Sequence, residues 1–195
     1  AQELVKQGVL NYVGVEPSSV LAAMVRSTMV DCVVHEDRLP NLSTTLKAKF
    51  DLVIAVHVVE HATSGYEARA WILDLIHCAK DTGTIVVVCP HTPDYKMRFW
   101  DIDWSHGFPT SVNNLSQIAS DLQVHVKKSG IMRLGSLNPI ISSIGFIVGR
   151  VIPVRLLNLL GRATVGRELG TGLASALFWG NAVIELRTNV GNKKI

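Results

Sequence analysis

His57, Glu60 and His61 close an unbroken apolar run, Leu52 to Val56, that opens on the pair Phe50-Asp51. A run apolar on both faces is expected to be buried on both faces, as a central parallel strand with helices above and below it. Polar residues at the carboxyl end of such a strand stand where open α/β sheets bind ligands, so these three are candidates to line a site. The plainer reading is that Glu60 and His61 begin a solvated loop, where polar residues collect. The spacing i, i+3, i+4 puts all three on one side of a helical turn. Histidine is the natural base near neutral pH, so imidazoles placed beside an acid are candidates to move protons.

The surrounding elements must position these groups. Ala1 to Gly8 reads as the tail of a helix, and Asn11 to Glu16 as a buried strand ending on an acid. Pro17-Ser18-Ser19 is a helix start, with Val20, Leu21, Met24 and Val25 as the apolar stripe. Val30 to His35 is a second strand, followed by the loop Glu36 to Pro40. Beyond the Phe50 run, Thr63-Ser64-Gly65 opens a helix whose buried face is Ala68, Ile72, Leu75, Ile76 and Ala79, with Glu67 and Asp74 off that face. Asp81-Thr82-Gly83 ends it, and Thr84 to Cys89 is another buried parallel strand. Thr92 to Pro109 is irregular and aromatic, the mark of a lid or binding loop. Pro109-Thr110-Ser111 starts a helix carrying Leu115, Ile118, Ala119 and Leu122; Gln123 to Leu134 and Phe178 to Arg187 are the last two strands.

Composition narrows the function. At 195 residues, 48% of them hydrophobic and 18% charged, the chain is a single folded domain, not a disordered one. A net charge of +3 without any basic run argues against nucleic acid. Cys32, Cys78 and Cys89 lie far apart, two of them in apolar runs, which reads as free thiols in a reducing compartment and a cytoplasmic protein. The first ten residues carry Glu3 and Lys6 and lack the apolar core of a secretory signal.

The element order describes an α/β fold with a doubly wound sheet ending in two neighbouring strands. Four segments, Tyr12 to Ser18, Glu36-Asp37 with Leu39-Pro40, Phe50 to His61, and Gly83 to Pro90, together with His106 to Ser111 and Leu115, carry a resemblance. In order and spacing they resemble the class I S-adenosylmethionine-dependent methyltransferases, small-molecule branch, and are similar to ubiquinone-biosynthesis-type enzymes. The resemblance implies a Rossmann-like, mostly parallel sheet with an antiparallel final strand and a helical insertion before it. It also implies S-adenosylmethionine as cofactor, with Glu16, followed by Pro17, at the ribose hydroxyls. Glu36 or Asp37, with Arg38, would lie beside the adenine, and His57 would present its backbone to the methionine portion. Methyl transfer to a hydroxyl needs alignment and a base, for which His61 and His106 are the candidates and His91 stands behind them. Relatives that bind a metal here carry an acid where this chain has His57, so no metal ligand is assigned.

The family's first strand and glycine-rich loop would lie immediately before Ala1 in sequence and, in the sheet, between the strands at Tyr12 and Leu52. Residues 1–195 are therefore expected to be a single, N-terminally truncated domain, with 135–177 as the helical insertion within it. The segment 137–160 is the most apolar of the chain, but its uninterrupted part is half the roughly 20 residues of a spanning helix. Either it covers a core or it rests on a membrane surface through Arg150, Arg155, Arg162 and Arg167, with 137–167 as the contact and a small-molecule or lipid-linked acceptor as substrate. A Rossmann oxidoreductase using NAD is the alternative enzyme, since a strand ending in an acid suits an NAD ribose equally. An inactive methyltransferase-like partner or membrane-surface module is the alternative outside enzymes.

Overall fold

The structure, a computed structural model, describes residues 11–29, 32–133 and 180–188, with residues 159 and 163. It divides into two compact units, Ala1–Lys47 and Ala48–Ile195. In the first unit, β1 (Val13–Val15) and β2 (Val33–His35) pair in parallel on either side of helix α1 (Ser19–Thr28). Ser18 caps α1, its hydroxyl accepting the Leu21 amide. The stripe expected to be buried on α1 is instead exposed: Val20 at 69%, Leu21 at 49% and Met24 at 60%, with Ala22 the buried residue of the helix. Helical spacing tells which residues share a face, whereas burial depends on what packs there. Two three-residue strands offer too little surface to cover it.

The second unit is built on a four-stranded sheet in the order β3 (Phe50–Val56), β4 (Ala79–Pro90), β6 (Asn181–Arg187), β5 (His125–Met132). β4 runs parallel to β3 and antiparallel to β6, and β5 is antiparallel to β6, so three strands share one direction and β6 opposes them. This is the mostly parallel sheet with an antiparallel final strand that the sequence predicts. Helix α2 (Gly65–Cys78) connects β3 to β4; two short helices, α3 (Thr92–Tyr95) and α4 (Arg98–Ile102), then lead to α5 (Val112–Asp121) and β5. Thr92 to Pro109, expected to be structureless, thus contains two helical turns. Ser64 and Ser111 cap α2 and α5 by accepting the Glu67 and Asn114 amides, and the Glu67 carboxylate reaches back to the Thr63 amide at 2.6 Å.

The core forms around β4, whose Ile85, Val87 and Cys89 are fully buried, together with Ile72 and Leu75 of α2, Leu115 and Ile118 of α5, and Ile184 and Leu186 of β6. Two expectations fail here. Asp74, assigned to the outer face of α2, is buried. β3 is the edge of its sheet, and Leu52, Ile54 and Val56, one face by the two-residue repeat, are 42–50% exposed. An apolar run shows that a strand can be buried on both faces; the number of strands beside it is settled elsewhere. The insertion 135–177, its four arginines included, lies outside the described residues apart from 159 and 163. Among the described residues no helix is long and apolar enough to cross a membrane.

Because Ile85 is fully buried and its strand is paired on both sides, Ile85→Ala is expected to destabilise the protein by about 2–5 kcal/mol. Val20→Ala on the exposed face of α1 should stay within about 0.5 kcal/mol of the parent. Denaturant midpoints check both, and equal losses would contradict the placement of the core.

Candidate functional site

At the carboxyl end of β3 the backbone turns sharply. His57 takes φ +54°, a left-handed conformation uncommon for a non-glycine residue, while its amide still pairs with the Val88 carbonyl of β4 at 2.9 Å. A single 3-10 turn, Val59–His61, follows and presents Glu60 inward with no exposed surface. Its carboxylate Oε1 accepts from His57 Nδ1 at 3.1 Å, and Oε2 has no hydrogen-bond partner among the described residues. The bond to Glu60 raises the His57 pKa, with desolvation opposing it. Burial, then the Glu60 charge, push the neighbouring Cys89 thiol well above its usual range, so Cys89 stays protonated and inert.

The backbone of Glu60 organises a second segment. Its carbonyl accepts both the Gly107 amide at 3.0 Å and the Phe108 amide at 3.1 Å, docking the chain between α4 and α5 against the 3-10 turn. The approach is close enough that a Cβ on Gly107 would stand 2.5 Å from the Ala62 carbonyl oxygen. His106 is thereby brought beside His61, with ring centroids 5.1 Å apart, and stacks on the buried Phe99 at 4.5 Å.

The hydrogen bonds decide which nitrogen of each ring is left over. His106 Nδ1 lies 2.6 Å from the Phe99 carbonyl, which can only accept, so Nδ1 carries the proton. The Ser105 hydroxyl donates its one proton to Asp103 Oδ1 at 2.6 Å, so towards His61 Nδ1, 2.9 Å away, its oxygen accepts. The same Ser105 hydroxyl and amide hold the Asp103 carboxyl below its usual range. Both neutral imidazoles are therefore Nδ1–H tautomers with Nε2 lone pairs available. A donor atom from each of Glu60, His61 and His106 lies within 4.8 Å of the others.

The candidates from sequence fall into separate places. His57, His61 and His106 meet around Glu60 in the second unit. His91 does not belong to that cluster; it stands at the N-cap position of α3 without a side-chain capping bond, where burial lowers its pKa and Asp94 and Arg133 are the charges beside it. In the first unit, the parallel register pairs Val15 with His35, so Glu16 and Glu36 leave the carboxyl ends of β1 and β2 at the same level. Glu16 Oε1 accepts the Ser18 amide at 2.8 Å, Glu36 pairs with Arg26 at 2.7 Å, and Asp37 accepts the Ser43 amide at 3.2 Å. Pro17 and Arg38 are exposed beside them. Sequence reasoning missed the Asp103–Ser105 relay and the Phe99 carbonyl; an Asp two residues before a Ser is a local turn signal that pointed to the first.

No protein-family model matches the sequence, and no curated protein matches it. Solved structures do match its fold. A complex between the Trm112 methyltransferase activator of Haloferax volcanii and its methyltransferase aligns at TM-score 0.68 and 11% identity, over 96% of this chain and 77% of that one. The 1,6-didemethyltoxoflavin-N1-methyltransferase of Burkholderia thailandensis, solved with S-adenosylhomocysteine, aligns at 0.57 and 8% identity, covering 96% and 65%. The cyclopropane synthase MmaA2 of Mycobacterium tuberculosis aligns at 0.59 and 10%, covering 95% and 73%. This is the Rossmann-like methyltransferase fold. Its antiparallel β6, set between β4 and β5, is what separates it from the parallel sheet of dinucleotide-binding enzymes. Glu16 and Glu36 stand at the carboxyl ends of β1 and β2 in the first unit, and His57 stands at the carboxyl end of β3 in the second.

Gly107→Ala should displace the docked loop and destabilise the protein by about 1–3 kcal/mol. Gly130→Ala, where an added Cβ would meet nothing within 4 Å, serves as the control in the same denaturation experiment. Equal stability of the two variants would contradict the close approach at Glu60.

Proposed function

We propose that this protein transfers a methyl group from S-adenosylmethionine to a small-molecule acceptor. The observation that carries the reading is the methyltransferase fold over nearly the whole chain, with acids at the carboxyl ends of β1 and β2 where the cofactor's ribose and adenine would be met. S-Adenosylmethionine would supply the methyl group as a sulfonium. Glu16 would accept the ribose hydroxyls with the carboxylate oxygen not engaged by Ser18 and Pro17 alongside, Glu36, Asp37 and Arg38 would border the adenine, and the His57 backbone would face the methionine portion. A cyclopropane synthase on the same fold shows why fold alone names no acceptor.

Direct displacement at a methyl carbon needs alignment of acceptor, methyl and leaving sulfur, and a base where the acceptor is a hydroxyl. The Nε2 lone pair of His61 or His106 fits that second task, because each ring's Nδ1–H is fixed by an acceptor. Acceptor contacts are proposed from the groove formed by Met97, Trp100, Pro109 and Asn114 between α4 and α5. Ile140, Ile144, Ile147 and Val151 recur at helical spacing in the sequence, which supports the insertion 135–177 as a roof for a hydrophobic, lipid-linked acceptor within one methyltransferase-like domain. The cytoplasmic placement and a peripheral membrane contact through 137–167 belong to the same proposal.

S-Adenosylhomocysteine binding by calorimetry tests it. Glu16→Ala should weaken binding by about 1.5–3 kcal/mol, the worth of hydrogen bonds to a charged group. Equal affinity would remove Glu16 from the site, and binding of NAD in place of S-adenosylhomocysteine would turn the reading to an oxidoreductase.

A further inference from the structure

Three lone pairs converge around Glu60 and, among the described residues, no strong donor meets them. Glu60 is fully buried; His57 Nδ1 lies against its Oε1, and Oε2 has no hydrogen-bond partner among the described residues. The Cys89 thiol beside the carboxylate is a weak donor. The neutral rings of His61 and His106 offer Oε2 no proton, since each Nδ1–H is committed, one to Ser105 and the other to the Phe99 carbonyl. A buried carboxylate held this way is costly unless a positive donor reaches it. We propose that Glu60 Oε2 and the Nε2 atoms of His61 and His106 receive a primary ammonium group, so that the methyl acceptor is an amine.

Geometry, charge and chemistry agree on that group. A carboxylate oxygen of Glu60 and a ring nitrogen from each of His61 and His106 lie within 4.8 Å of one another. Three acceptors each about 2.8 Å from one tetrahedral nitrogen stand about 4.6 Å apart, and an ammonium carries three donors where a hydroxyl carries one. The carboxylates of Glu60 and Asp103 both act on this pair of imidazoles, so the surroundings favour a cation. His61 and His106 are half-buried whereas Glu60 has no exposed surface, so the ammonium enters from the imidazole side with its carbon chain outward. The inference rests on the proposed transfer from S-adenosylmethionine and uses the Nε2 lone pairs for the task given them there. One Nε2 takes a proton from the ammonium; the freed nitrogen lone pair, turned toward the methyl carbon, forms the nitrogen–carbon bond as the carbon–sulfur bond breaks. The products are a secondary ammonium, S-adenosylhomocysteine and an imidazolium that returns its proton to water.

Amine binding can be read separately from methyl transfer. Calorimetric titration with phenethylamine should show saturable binding at one equivalent, and phenethyl alcohol, its hydroxyl counterpart, should bind about 10-fold or more weakly. Glu60→Gln, His61→Gln and His106→Gln should each weaken amine binding about 10- to 100-fold, the span of a lost hydrogen bond to a charged group. Ser105→Ala should weaken it less, by releasing the His61 ring. His77→Gln, on the exposed side of α2, should bind as the parent does. Circular dichroism melting accompanies each variant; if Glu60→Gln fails to fold, the two histidine variants carry the test. Amine selectivity in a protein that binds no S-adenosylhomocysteine would support the ammonium site and refute the transfer alone. No saturable amine binding by the parent, equal affinity for amine and alcohol, or an amine affinity unchanged in both folded histidine variants overturns the proposal.

Discussion

A carboxylate with no solvent contact has to be compensated by its surroundings, and Glu60 is that group here. Its side chain takes one hydrogen bond from His57, and its backbone carbonyl takes two from Gly107 and Phe108. The same residue thus orients the end of β3 and holds the segment that brings in His106. Removing the side chain would leave a polar hole under the 3-10 turn. Removing the approach at Gly107 would detach the second histidine.

The scaffold explains why that geometry can be held. β4 is paired on both sides and packs against α2, so the carboxyl end of β3 is fixed through a ladder that extends to His57 itself. Strain at His57, at a positive φ, is tolerated because the Val88 carbonyl and the Glu60 carboxylate both hold the residue in place. Aromatic stacking of His106 on Phe99 adds rigidity on the other side. Tautomers are then set by the Phe99 carbonyl, which can only accept, and by the Ser105 hydroxyl, whose proton goes to Asp103, which turns two ordinary histidines into directed lone pairs.

Legibility in the sequence followed the range of the interaction. β4, α2 and α5 were readable because continuous apolar runs, helical spacing and Ser caps act within a few residues. The switch from apolar to polar after Val56 located His57, Glu60 and His61. What lay beyond reach was contact across layers: the exposure of Val20, Leu21 and Met24 and the burial of Asp74 depend on what packs alongside. His106 joined the set only through resemblance, since 45 residues separate it from His61. The Phe99 carbonyl has no sequence signature at all, because every residue carries one.

The claim on which these arguments meet is that His61 and His106 both hold their Nε2 lone pairs available beside a buried carboxylate. Long-range proton–nitrogen NMR of the histidine side chains reads this directly from the neutral rings. The expected result is the Nδ1–H tautomer for both, the less common form of free histidine, reverting for His61 in Ser105→Ala. Finding either ring protonated at Nε2 in the parent would contradict the arrangement around Glu60.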